Sequence, residues 1–420
     1  MTKPVLLLRS VAAKASRVSL SMAGTLAIAG SNFLLSLVLI PLLVPADYGF
    51  FIFGQVLTAF SYSIVNAMGG TPLSITLNRG TPDWQPEYLA IMKVDAILSV
   101  LAGLVAIGSG FLFDMPLPVT LFMGLFTFAA ALRWGFRCAE FARHRVKSTG
   151  ISDLIYASVV VIGCVVMFLG HLGETLLVAS ITVATAASLS AIYLWLSLEN
   201  VDGRSRLSHY ARVWKGQSRW ALLGVVTTEM TSNGHAYLVT LMAGPQAFAP
   251  IAVAALFWRP LTVVLPSLML IERPIMARQL AKGDVEEARG TARSFLRIVL
   301  TILAGNVVLA VAVALIFHDK VASLPYEAST LYVACGLWFI VVLIQSMRIP
   351  ASSLIQAARQ FKPLAQTSLI AAPVTMMIAA VIIYTVSPIA SIVGIIAGEV
   401  VMTALVFRLT RQKQLFDHPV

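Results

Sequence analysis

Apolar stretches of twenty or more residues alternate along the whole chain with short segments that hold nearly all of its Lys and Arg. Twelve such runs can be delimited, at roughly 20–44, 49–70, 88–112, 117–136, 151–170, 174–198, 218–242, 247–271, 294–317, 327–347, 364–385 and 388–408. About 20 apolar residues carry a helix across the hydrocarbon core, whereas a barrel strand needs only about ten alternating ones. The pattern predicts an all-α polytopic membrane protein of about twelve transmembrane helices. Two runs break the apolar pattern. The seventh is interrupted by Thr227, Thr228, Glu229, Thr231, Ser232, Asn233 and His235. The eighth carries Arg259 near its midpoint and Pro250, Pro260 and Pro266 along its length. Charges at mid-membrane depth are costly and mark functional positions.

The runs repeat. A shift of 200 residues places Pro45-Ala46-Asp47-Tyr48-Gly49 on Pro245-Gln246-Ala247-Phe248-Ala249, and a shift of 215 places Leu132-Arg133 on Met347-Arg348. Each half then holds six runs, which predicts two parallel six-helix repeats around a central cavity, an architecture of transporters. The expected organisation is a basic segment 1–19, a first bundle 20–198, a loop 199–217, a second bundle 218–409 and a tail 410–420. In the first run Thr25, Ala29, Asn32 and Ser36 share one helix face, and in the second Gln55, Thr58, Tyr62 and Asn66 do so. Glu229 and Arg259 fall on the matching faces of the other half, so these four helices are expected to enclose hydrated space. Pro250, Pro260, Pro266 and Pro373 each remove a backbone donor and are expected to kink their helices.

Composition agrees with the pattern. The chain of 420 residues is 58% hydrophobic and 12% charged, where soluble domains carry about 25% charged residues. A net charge of +11 could suggest nucleic acid, but the distribution excludes it. With the N-terminus inside, all 30 Lys and Arg except Arg259 and Lys320 fall at cytoplasmic ends and loops, as the positive-inside rule requires. An even number of spans puts both termini in the cytoplasm. Residues 5–18 mix Leu and Val with basic residues and suit a helix on the inner leaflet. The run that follows is too long for a signal-peptide core. Cys138, Cys164 and Cys335 are isolated and read as free thiols, and no metal-ligand spacing is present.

Arg259 can grip a phosphate or diphosphate with two donors, or pair with Glu229 across helices seven and eight. Glu229, Glu399 and Asp95 are the acids placed to carry a coupling proton or sodium ion. Asn233 and His235 share the polar part of the seventh run; a lone histidine there is more often a structural hydrogen bonder. Asp95, with Lys93, could gate the inner end of helix three or sit at the interface as a snorkelling pair. Arg133, Arg137 and Arg348 lie at inner helix ends, where they satisfy topology and could attract an anionic head group. In the inner loop Asp284 precedes Glu287 by three residues and predicts a helix start leading to 285–297. Outer-loop acids are single and scattered, and no Walker, HExxH or CxxC sequence occurs, so catalysis and cofactors are not expected.

Through Val44-Pro45-Ala46-Asp47-Tyr48-Gly49-Phe50 the chain resembles the polysaccharide transporter family of the multidrug/oligosaccharidyl-lipid/polysaccharide exporter (MOP) superfamily, with Val44 where the turn usually has glycine. Gly244-Pro245, Arg259, Pro274-Ile275-Met276-Ala277-Arg278 and Gly283-Asp284-Val285-Glu286-Glu287-Ala288 carry the likeness in the second half. The resemblance implies a MATE-like fold and an inner-membrane flippase for undecaprenyl-diphosphate-linked oligosaccharide in O-antigen or exopolysaccharide synthesis. It implies ion-coupled alternating access, a cationic cavity to which Arg259 fits best, and work alongside polysaccharide polymerase and chain-length proteins. The alternatives are a multidrug exporter of the same superfamily and a membrane-embedded glycan polymerase or ligase.

Overall fold

The computed structural model describes residues 23–78, 84–143, 145–170, 173–201, 203–316, 319 and 324–412, apart from the side chains of Asn78, Thr262, Val263, Pro266, Ser267 and Leu270. The basic segment 5–18, Lys320, the Thr262 and Pro266 side chains and most of the 410–420 tail lie outside the described residues. Among the described residues every regular element is helical. In the first half these are α1 (Ala23–Leu39), α2 (Pro45–Val65), a π-turn (Asn66–Gly70) leading into α3 (Thr71–Asn78), α4 (Trp84–Leu112), α5 (Leu117–Ala142), α6 (Val146–Gly170) and α7 (Thr175–Ser197). A linker with a short helix α8 (Tyr210–Val213) follows. The second half contains α9 (Arg219–Ser232), α10 (Gly234–Ala243), α11 (Pro245–Leu256), α12 (Arg259–Ala281), α13 (Val285–Ile316), α14 (Ala328–Ala357), α15 (Phe361–Thr385) and α16 (Ile392–Thr410).

Nine segments among the described residues are long and apolar enough to cross a membrane. The chain is a multi-pass membrane protein. Among the described residues three of the twelve expected runs are not such segments, for local reasons. α1 is short as described, the seventh run is split at Asn233, and the eighth is split at Phe257–Trp258, its second part α12 carrying Glu272, Arg273 and Arg278.

The proline expectation is corrected in its position. Pro260 cannot donate to the carbonyl four residues back, and α11 ends at Leu256, so Arg259 and Pro260 open a new helix. Pro250 and Pro373 sit inside helices that continue past them. The predicted short helix 285–297 is the start of one continuous α13.

The chain divides into two compact units: residues up to Leu43 with Gly54–Val225, and Val44–Phe53 with Val226–Val420. In the first, α5 is the most buried span and packs against α4, α6 and α7. Gly103 on α4 faces the Gly124 carbonyl of α5, where a Cβ would come within 3.1 Å. Such small-residue contact lets helices approach where lipid offers no hydrophobic drive. The outer faces carry exposed Leu101, Leu104 and Val105 on α4 and Ile162, Phe168 and Leu169 on α6, as a lipid-facing surface requires. In the second unit α16 packs on α14 and α15, and α12 on α13.

Within that second unit a Cβ on Gly49 would overlap the backbone carbonyl of Pro245. Gly49→Ala is therefore expected to cost about 1–3 kcal/mol through forced displacement of backbone. A lowered thermal midpoint in detergent checks this; an unchanged midpoint would contradict the close approach.

Candidate functional site

The first unit gathers its polar residues around one acid. Asp153, on α6, is fully buried. Arg133 Nη2 donates to its Oδ1, while Arg137 reaches Oδ1 through Nε at 3.3 Å and Oδ2 through Nη2 at 3.1 Å. Arg133 and Arg137 are one helical turn apart on α5, which is why both reach the same carboxylate. Arg133 Nε also donates to Ser152 Oγ at 3.1 Å, and its guanidinium lies 5.3 Å from the Tyr156 ring centre. Arg137 Nη2 donates to Thr25 Oγ1 at 3.1 Å, and its guanidinium sits over Phe141 at 4.7 Å and Trp134 at 5.2 Å. Tyr156 donates to Asn32 Oδ1 at 3.1 Å, so the polar face of α1 is turned to this cluster. Tyr62 of α2 stacks on Trp134 with ring centres 4.9 Å apart and planes 12° from parallel.

Two guanidiniums on one carboxylate leave the cluster one net positive charge. It borders a cavity of about 470 Å³ whose wall includes Asn66, Thr71, Ser74, Trp134, Arg137 and Phe141. The indole nitrogen of Trp134 is buried without a hydrogen-bond partner. Cationic, amide, hydroxyl and aromatic groups therefore line one cavity.

Asn32, Tyr62, Asn66, Arg133 and Arg137, chosen from sequence, are thus brought together in one unit. The reading of the two arginines as an open anion entry needs correcting. Arg133 is 2% exposed and committed to Asp153 and Ser152, so of the two Arg137 is the one that lines the cavity. Gln55 is half-buried on α2 and joins none of these bonds. Asp153, Trp134 and Tyr156 escaped the sequence reading. An acid early in an apolar run, preceded by two arginines one turn apart in the previous run, was the available signal for Asp153.

Asp95 is 1% exposed and neither of its carboxylate oxygens has a hydrogen-bond partner. It is no snorkelling pair with Lys93, whose Nζ instead donates to the Ser205 carbonyl of the linker at 2.6 Å.

In the second unit the break between α9 and α10 is a polar node. Glu229 Oε1 accepts from Asn233 Nδ2 at 3.1 Å and from the Tyr237 hydroxyl at 2.7 Å. These bonds replace the expected Glu229–Arg259 pair. Arg259 retains accessible surface at the start of α12 and lies close enough to Tyr48 to interact electrostatically. His235 is 3% exposed and packed against the rings of Phe248 and Trp338, at 6.2 and 5.5 Å. It is part of the aromatic packing and lies apart from the Glu229 node.

Glu399, which had no partner in the sequence, has three donors. Arg348 gives Nε at 3.0 Å and Nη2 at 3.3 Å, and Gln345 gives Nε2 at 2.9 Å. Arg348 is therefore an ion-paired group, with 15% of its side chain accessible. Arg133 and Arg348 correspond under the 215-residue shift, yet their acids come from non-equivalent helices, α6 and α16. Among the described residues no cluster of His, Cys, Asp or Glu could hold a metal.

Known structures share this fold over nearly the full length. An inward-facing multidrug resistance MATE family transporter of the MOP superfamily superposes with a TM-score of 0.64 at 14% identity, covering 94% of this chain and 97% of that one. The fold is that of a MATE-like transporter. A eukaryotic MATE transporter gives a TM-score of 0.62 at 14% identity over 96% of both chains. An outward-facing MATE family transporter of the MOP superfamily gives 0.57 at 13% identity, covering 95% of this chain and 94% of that one. No protein-family profile and no curated protein matches the sequence.

Proposed function

We propose that the chain is an inner-membrane flippase for a lipid-linked oligosaccharide of the polyprenyl-diphosphate class, working by ion-coupled alternating access with both termini in the cytoplasm. The observation that carries this reading is the cavity beside Arg137. Its guanidinium belongs to a cluster with one net positive charge, and the Trp134 and Phe141 rings flank it. A diphosphate suits the cation. Asn66, Thr71 and Ser74 supply the amide and hydroxyl groups that a glycan needs.

A second reading, export of cationic drugs, draws on the multidrug transporters among the structural neighbours and on the buried acids Glu229 and Asp95. Binding to purified protein separates the two. A polyprenyl-diphosphate glycan is expected to bind wild type and to lose at least about tenfold in affinity in Arg137→Ala and in Trp134→Ala, an amount within the range for one charge-assisted or aromatic contact. Unchanged affinity in both variants, or preferential binding of a cationic drug, would contradict the flippase reading.

A further inference from the structure

The π-turn between α2 and α3 separates two features that no contact so far has linked. On one side Asn66 and Gly70 form part of the cavity wall. On the other, Gly69 lies against the Asp95 carboxylate so closely that a Cβ there would overlap both oxygens, and Gly135 of α5 also approaches it, where a Cβ would come within 3.1 Å of Oδ2. A π-turn carries one residue more than an α-helical turn and is found mostly where function has kept it. Its Met68 carbonyl is taken by linker groups: the Tyr210 hydroxyl at 2.8 Å and Ser218 Oγ at 3.4 Å.

Among the described residues no cation pairs with Asp95. Its charge bears on the Cys138 thiol of α5 and the Tyr210 phenol of the linker. The π-turn and α3 contribute no titratable side chain. Charged residues on the surrounding elements are engaged elsewhere: Arg137 with Asp153, Glu140 with Arg145, Arg212 with Glu87, Arg143 with Glu199. His209 in the linker is tied to the Arg206 backbone. An ionised carboxylate with neither a hydrogen bond nor a counter-charge is far costlier to bury than a protonated one.

We propose that Asp95 is the proton-carrying group of the transport cycle and that the π-turn Asn66–Gly70 transmits its charge state to the cavity. An O–H bond forms on Asp95 as a hydronium ion gives up its proton, and breaks when water takes the proton back. The protonated acid fits the closed space between Gly69 and Gly135. The carboxylate needs water, which enters only if Gly69 moves, and Asn66 and Gly70 move with it. This rests on the transporter reading but on no particular substrate. Glu229 and Glu399 do not fill the role as well, since hydrogen bonds and an ion pair already stabilise them.

The test uses purified full-length protein without substrate. Infrared difference spectra over a pH titration are expected to show a protonated-carboxyl stretch in wild type that declines as pH rises and is absent in Asp95→Asn, a neutral near-isostere. Hydrogen exchange of the peptide covering 66–70, corrected for intrinsic rates, is expected to rise severalfold in wild type across the same titration. It should stay constant in the variant. A band that persists in Asp95→Asn, or wild-type exchange that ignores pH, would overturn the proposal. The exchange arm needs wild type alone, so a poorly folding variant would not protect the idea. Failure of the wild-type protein to bind the glycan, with the carboxyl band intact, would instead count against the flippase reading.

Discussion

Asp153→Ala is expected to destabilise the protein more than removal of either arginine it holds. The substitution leaves two guanidiniums without their acid, one of them only 2% exposed. Breaking a buried pair from one side costs about 3–5 kcal/mol, because the surviving charge stays buried. Arg133→Leu removes one donor but leaves Asp153 with both contacts from Arg137, at 3.3 and 3.1 Å, so its cost should be clearly smaller. Arg133→Leu/Asp153→Leu should recover much of the loss, since well-packed apolar residues can replace a buried pair at little cost. Thermal midpoints of the four proteins in one detergent check the order. Equal losses for Asp153→Ala and Arg133→Leu would show that the acid is not the hub.

Glu399→Ala should be the most damaging single change in the second unit. It removes the acceptor for three donor groups, two from Arg348 and one from Gln345. Arg348 keeps 15% of its side chain accessible, so the loss belongs near the lower end of the buried-pair range, about 3 kcal/mol. Glu399→Gln retains an acceptor and should lose less. Midpoints and membrane accumulation measured side by side decide the matter. A Glu399→Ala protein as stable as wild type would contradict the pairing of α14 with α16.

The helical runs and the polar faces were legible because a bilayer imposes length and polarity rules on every span. The neighbourhood of Pro245 shows how far this goes: Gly244, with φ of 85°, and Pro245 open α11 as a Gly-Pro step should. What sequence could not supply was pairing. Glu399 looked solitary because Arg348 is 51 residues away along the chain. Asp153 drew no attention because its arginines lie in the preceding run. The 200-residue shift made Glu229 and Arg259 look like partners, whereas Tyr237 and Asn233 stand on the same broken helix and reach Glu229 first. The π-turn had no signal beyond Gly69-Gly70, since hydrogen-bond register is a property of the folded helix.

The most direct test of the central claim is leaflet-resolved accumulation of lipid-linked oligosaccharide in cells lacking this protein and any second flippase. Wild type, Arg137→Ala and Trp134→Ala are each returned at equal membrane levels. The predicted result is accumulation on the inner leaflet, relieved by wild type and not by either variant. Normal crossing in the deleted cells, or full rescue by both variants, would contradict the account.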